Sequence, residues 1–141
     1  MKLIGHWLDI SDVSEKHYPD PQYLIDENWL GDEKNLLISY LTPNQNAHGY
    51  WGYSWCRFGC GVEDSKMGSH IFTDGVWAWP EGLAHYVRDH SVMLPDSFID
   101  HCRNNSWKIP DELPNLNMSL LDETDWLDWA NSEIIKTENK A

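Results

Sequence analysis

The sequence is poor in several things, and each shortage closes a class of function. It holds no apolar run near the roughly twenty residues that a membrane-spanning helix needs. Its first residues, MKLIGHWLDISDV, reach a histidine after only a few apolar positions, so no signal peptide is expected. The three cysteines, Cys56, Cys60 and Cys102, are too few and odd in number for a disulfide framework. Together these features predict a cytoplasmic protein with reduced thiols. Basic residues are also scarce, 10 against 23 acidic ones, for a formal net charge of −13. A protein that neutralises phosphates needs a basic patch, so neither nucleic acid nor an anionic membrane is an expected partner. Finally, the sequence has no Gly-x-Ser-x-Gly elbow, no His-Glu-x-x-His helix and no glycine-rich phosphate loop.

What is present is aromatic. Nine tryptophans, six tyrosines and three phenylalanines occupy 141 residues, a length that suits one domain able to fold without a disulfide or metal. MKLIGHWLDI suits an edge strand, and HYPDPQYLIDENWL an extended stretch with a short helical turn. GDEKNLLISYL reads as a helix capped by Asp32, with Leu36, Leu37, Tyr40 and Leu41 as its apolar stripe. The middle of the chain changes period. HGYWGYSWCRF and HIFTDGVWAWP favour strands, and Asp74-Gly75 marks a tight hairpin turn. Pro80 suits a helix start, Pro95-Asp96 another, and an acidic helix with Leu121, Trp126, Trp129 and Ile134 on a stripe closes the chain. The expected fold is therefore a single α+β domain over residues 1–141. A small antiparallel sheet from about 46–79 would be covered by helices at 32–41, 80–90 and 95–104 and by the C-terminal helix.

Four groups of residues invite chemistry. Cys56 and Cys60, followed by His85 and His90, supply two thiolates and two imidazoles, the ligand types of a structural zinc. Three residues separate the cysteines where two are commoner, and a regular helix does not put histidines five apart on one face. His101-Cys102 is a further donor pair. The plainer account is that these are small buried cysteines and hydrogen-bonded histidines. The same cysteines and histidines could instead form a Cys/His nucleophile, with Arg57 lowering a thiol pKa. Glu81, His85 and Asp89 share a helical face, which would hold an imidazole between carboxylates or simply be solvated. Trp51, Trp55, Trp77 and Trp79 would make a stacking wall if their strands pair, or else plain core.

The run from Trp55 to Phe98 resembles a family of small uncharacterised bacterial proteins. Their pattern is a cysteine pair followed by a block of the form tDG.w.WPeGLaHYv..H.v.LP..F, here TDGVWAWPEGLAHYVRDHSVMLPDSF. In that pattern two residues separate the cysteines, whereas here Gly59 is an additional one. The resemblance implies a shared fold and a bacterial cytosolic setting, and no activity. From charge and size, the leading expectation is a non-catalytic binding protein, immunity- or inhibitor-like, that masks a basic protein partner. Asp122, Glu123, Asp125 and Asp128 would meet its cations, and Trp126 and Trp129 would anchor it. No cofactor is expected on that reading. The alternative is a zinc-bearing module or Cys/His enzyme built on Cys56, Cys60, His85 and His90.

Overall fold

The computed structural model describes residues 1–8, 18–43, 49–50 and 55–139. Its strands and helices are short and follow one another as β1 (Lys2–Leu3), α1 (Lys34–Leu41), β2 (Gly49–Tyr50) and α2 (Asp64–Met67), then β3 (His70–Thr73) and β4 (Trp77–Pro80), then α3 (Leu83–His90), α4 (Asp96–Asn104) and α5 (Thr124–Asn139). The strands form one sheet in the order β1-β4-β3-β2, so the architecture is α+β. β2, β3 and β4 pair antiparallel. The edge strand expected at the N-terminus is present and pairs in parallel with β4, Lys2 opposite Trp77 and Leu3 opposite Ala78. Its outer side is used as well: Leu3 N–H donates to Asp122 C=O, and Asp122 N–H donates to Met1 C=O. The N-terminal strand thus lies between the sheet and the segment that leads into α5.

The β3–β4 hairpin turns where Asp74-Gly75 marks it. Gly75 takes φ +97, which a side chain would resist, while Asp74 serves the turn through its carboxylate. Oδ1 accepts from Val76 N–H and Trp77 N–H, at 2.9 and 2.7 Å. Oδ2 accepts from the Tyr40 hydroxyl and lies 2.9 Å from His101 Nε2. One buried carboxylate therefore ties the hairpin to α1 and α4, and its own lone pairs are satisfied in doing so. Against this charge, burial pushes the neighbouring Cys102 thiol up to about 12.

Both faces of the sheet are covered. On one face Trp77 and Trp79 point into the main core, where Phe98 meets each edge-on and Tyr40 stacks on Trp79. Trp79 is fully buried and satisfies its indole N–H on Leu41 C=O, 3.0 Å away. On the other face Leu3, Ile71 and Ala78 form a small cluster under Leu116 and Leu121. Several boundaries differ from the sequence pattern. Pro80 ends β4 opposite Ile71, and Glu81 N–H extends the ladder to His70 C=O, so α3 starts only at Leu83. Asp32 does not cap α1; it sits inside a 3-10 turn, Gly31–Glu33, that leads into the helix. Leu36 faces outward while Leu37, Tyr40 and Leu41 are buried. Among the described residues no helix is long and apolar enough to cross a membrane.

Asp74→Ala should strand two backbone N–H groups, a phenol and an imidazole at once. A loss of about 3 kcal/mol in urea unfolding is expected. A loss well under about 1 kcal/mol would show that water replaces the carboxylate.

Candidate metal centre

Two of the four candidate ligands come from α3. In a regular helix residues five apart point about 140° away from each other. His90 is the last residue of α3, and there the helix opens. Ser91 turns left-handed, with φ +53, and its N–H and that of Val92 both reach back to Tyr86 C=O. That wide closing turn brings the His90 ring beside the His85 ring, with centroids 5.0 Å apart. Phe58 stacks on the outer side of His90 at 4.2 Å.

The other two ligands come from the loop of residues 55–60, which α3 itself holds. The Tyr86 hydroxyl accepts from Arg57 N–H at 3.0 Å and donates to Trp55 C=O at 3.1 Å. Cys56 lies between those two peptide groups, so one phenol fixes its backbone from both sides. Cys56 C=O then accepts from Gly59 N–H, closing a tight turn in which Gly59 has φ +62. The extra residue between the cysteines is therefore taken up by a left-handed glycine, and Cys60 swings back toward α3.

The result is a four-donor cluster. Cys56 Sγ is 3.3 Å from His90 Nε2, and Cys60 Sγ is 3.4 Å from His85 Nε2. All four donor atoms lie within 4.8 Å of one another. An ion bonded at 2.0–2.3 Å to each corner of a tetrahedron sets corner-to-corner edges of about 3.3–3.8 Å. The two measured sulfur–nitrogen separations match those edges, so these four residues could hold a metal ion. Cys56 and His85 are buried, His90 half-buried and Cys60 exposed, which places the cluster at the rim of the core. Burial holds His85 below the ordinary imidazole range, keeping it in the neutral form that donates a lone pair. Its second nitrogen, Nδ1, is 2.8 Å from Asp89 Oδ2, close but off the N–H axis. A carboxylate behind a ligating histidine is the usual means of fixing its tautomer.

Burial also raises the Cys56 thiol, the opposite of what an activated nucleophile needs. Arg57 does not correct this. It donates to Leu8 C=O and Trp55 C=O and lies over the Trp55 ring. Other expected sites are dispersed. Glu81 lies outside α3, and its Oε1 accepts from the N–H groups of Ser69 and His70, leaving only His85 and Asp89 together. His101 and Cys102 belong to the Asp74 network and the core. No tryptophan wall forms from the described residues: Trp77 and Trp79 are core, Trp55 is in a loop, and Trp51 lies outside the described residues.

The C-terminal set divides between core and surface. Trp126 is fully buried, with its N–H on His6 C=O, and cannot anchor a partner, while Trp129 stacks against it half-buried. Glu123 is buried and takes the His6 ring and the Tyr18 hydroxyl. Asp122 receives the N–H and hydroxyl of Thr124, and Asp125 pairs with Lys2 at 2.9 Å. Of the four acids only Glu123 is buried; Asp122, Asp125 and Asp128 are exposed. The residue that sequence reasoning missed is Tyr86, whose only signal was its place between the two histidines. Neither family models nor curated proteins nor solved structures yield a match to this chain.

In metal-free protein the three thiols should separate by reactivity. Iodoacetamide is expected to label exposed Cys60 first and to leave Cys102 unmodified until the chain is denatured, as read by peptide mass spectrometry. Labelling of Cys102 in the folded protein would contradict its placement.

Proposed function

We propose that this protein is a zinc-binding module of the Cys2His2 type, with Cys56, Cys60, His85 and His90 as ligands and a structural rather than catalytic ion. The observation that supports this reading is the convergence of two thiols and two imidazoles within 4.8 Å of one another, with two sulfur–nitrogen pairs at 3.3 and 3.4 Å. Two sulfur and two nitrogen donors suit zinc, and four protein ligands leave no open position for substrate or a reactive water. A chain of this length does not need the ion for its global core. Its task is local: it fastens the Trp55–Cys60 loop onto the end of α3, adding to the Tyr86 hydrogen bonds and the Phe58–His90 stack that already join the two.

The purified protein should carry one zinc per chain by elemental analysis, and Cys56→Ser or His90→Ala should lose it while the far-ultraviolet circular dichroism stays native. A folded protein that neither contains nor takes up zinc sinks the proposal. Tyr86→Phe keeps the ring and removes the clamp on Cys56, and Asp89→Asn removes the charge behind His85. Each is expected to weaken zinc roughly 10–100-fold in a chelator competition. Affinity should rise with pH through neutrality, because the ion must displace a proton from the Cys56 thiol, which burial holds protonated, while His85 is already neutral.

The basic-partner reading keeps the net charge of −13 as its support, but Trp126, one of its two intended apolar anchors, is inside the core. The metal reading therefore stands first.

A further inference from the structure

The loop that carries Cys56 and Cys60 also suits a reaction other than holding an ion. We propose that these two thiols are an oxidation site, which closes into an intramolecular disulfide by exchange with a small disulfide such as oxidised glutathione. The inference rests on the zinc reading for its consequence, because sulfurs bonded to each other no longer offer thiolates to an ion. The first argument is that the two thiols differ as an exchange reaction needs. Cys60 is exposed and can meet a solute, whereas Cys56 is buried behind it. Their sulfurs lie within 4.8 Å of one another. An accessible thiol beside a second, resolving one is the usual form of a redox-active pair. Cys102 is fully buried and lies outside that cluster, so it takes no part.

The second argument is freedom to close. A disulfide brings its sulfurs to about 2.05 Å, so one side chain has to move. Cys56 is fixed, because the Tyr86 hydroxyl engages the peptide groups on either side of it at 3.0 and 3.1 Å. Cys60 stands between Gly59 and Gly61, both left-handed with φ +62 and +89. A Cβ placed on either glycine would meet nothing within 4 Å among the described residues. Glycine backbone with open space on both sides reorients at little steric cost, so Cys60 swings onto a stationary Cys56. The contact it gives up, 3.4 Å to His85 Nε2, involves a weak thiol group. In the exchange, the Cys60 thiolate attacks one sulfur of the solute disulfide and expels the other half as a thiolate. The Cys56 thiolate then attacks the Cys60 sulfur and expels the second half. Two protein thiols are oxidised, the solute S–S bond is reduced, and its two thiols carry away both protons. Of the four donors only His85 and His90 are then left, so the disulfide and the ion exclude each other.

The test incubates the full chain, freed of metal, with oxidised glutathione and maps its disulfides by peptide mass spectrometry. The expected product is the Cys56–Cys60 disulfide, with Cys102 still a free thiol. Cys56→Ser should stop the reaction at glutathione bound to Cys60, and Cys60→Ser should slow it at least about tenfold, because the remaining Cys56 is buried. The oxidised protein should bind zinc at least about a hundredfold more weakly in a chelator competition, and the zinc-loaded protein should oxidise at least about tenfold more slowly than the metal-free one. Glutathione that stays on Cys60 of the unaltered protein overturns the proposal, as does a disulfide that includes Cys102. The mapping of the unaltered protein needs no variant, so it stands if either serine variant fails to fold. The two readings fail separately. A chain that closes the disulfide but never takes up zinc keeps this proposal and loses the zinc one, and a chain that binds zinc but does not close it does the reverse.

Discussion

The hydroxyl of Tyr86 is the contact on which the rest of the site depends. It stands in α3 between two histidines that approach each other only because the helix widens at its end. From there it takes one hydrogen bond and gives another, to the peptide groups on either side of Cys56. A loop rich in glycine and aromatic residues has many conformations, and its ordering entropy must be offset by something specific. A buried phenol with both its donor and its acceptor engaged provides that. It aligns Cys56 toward His90, and the left-handed Gly59 then returns Cys60 toward His85.

The same logic recurs elsewhere in the fold. Large apolar side chains supply the bulk of the core, but the register of the elements is set by a few buried polar groups whose bonds are all made. Asp74 unites the hairpin with α1 and α4, Glu123 gathers His6 and Tyr18, and the indoles of Trp79 and Trp126 close onto backbone carbonyls. Each is costly if left incomplete, so each permits only one arrangement of its neighbours. Among the described residues the Trp7 indole N–H and His85 Nδ1 depart from this pattern.

The metal cluster shares a wall with a cleft. Trp55 and Arg57, which line the cleft, flank Cys56, and Tyr86 contributes to both. The acidity of the chain, conspicuous in the composition, acts mainly in local pairs and caps. Asp122 receives the first residue of α5, Asp125 meets Lys2, and Glu33 takes Arg103. Exposed pairs of this kind add little stability individually.

How much of this was legible beforehand can be judged residue by residue. Local patterns determined the hairpin at Asp74-Gly75, the helix after Pro95, the N-terminal edge strand, the tryptophan core and the four ligand types, because turn chemistry, period and composition are properties of neighbouring residues. The helix start at Leu83 rather than Pro80 was not legible. It depends on pairing with Ile71 across the sheet, which no local propensity encodes. Nor was the inward face of Trp126, since an amphipathic stripe does not say what covers it. Spacing alone argued against the metal site twice, through the third residue between the cysteines and the fifth step between the histidines. Both objections fell to backbone conformations, Gly59 and Ser91 in the left-handed region, which spacing along the sequence does not reveal. The sequence by itself determined which donors exist. Only the tertiary structure decided that they meet, because convergence of groups some thirty residues apart is set by packing and not by spacing.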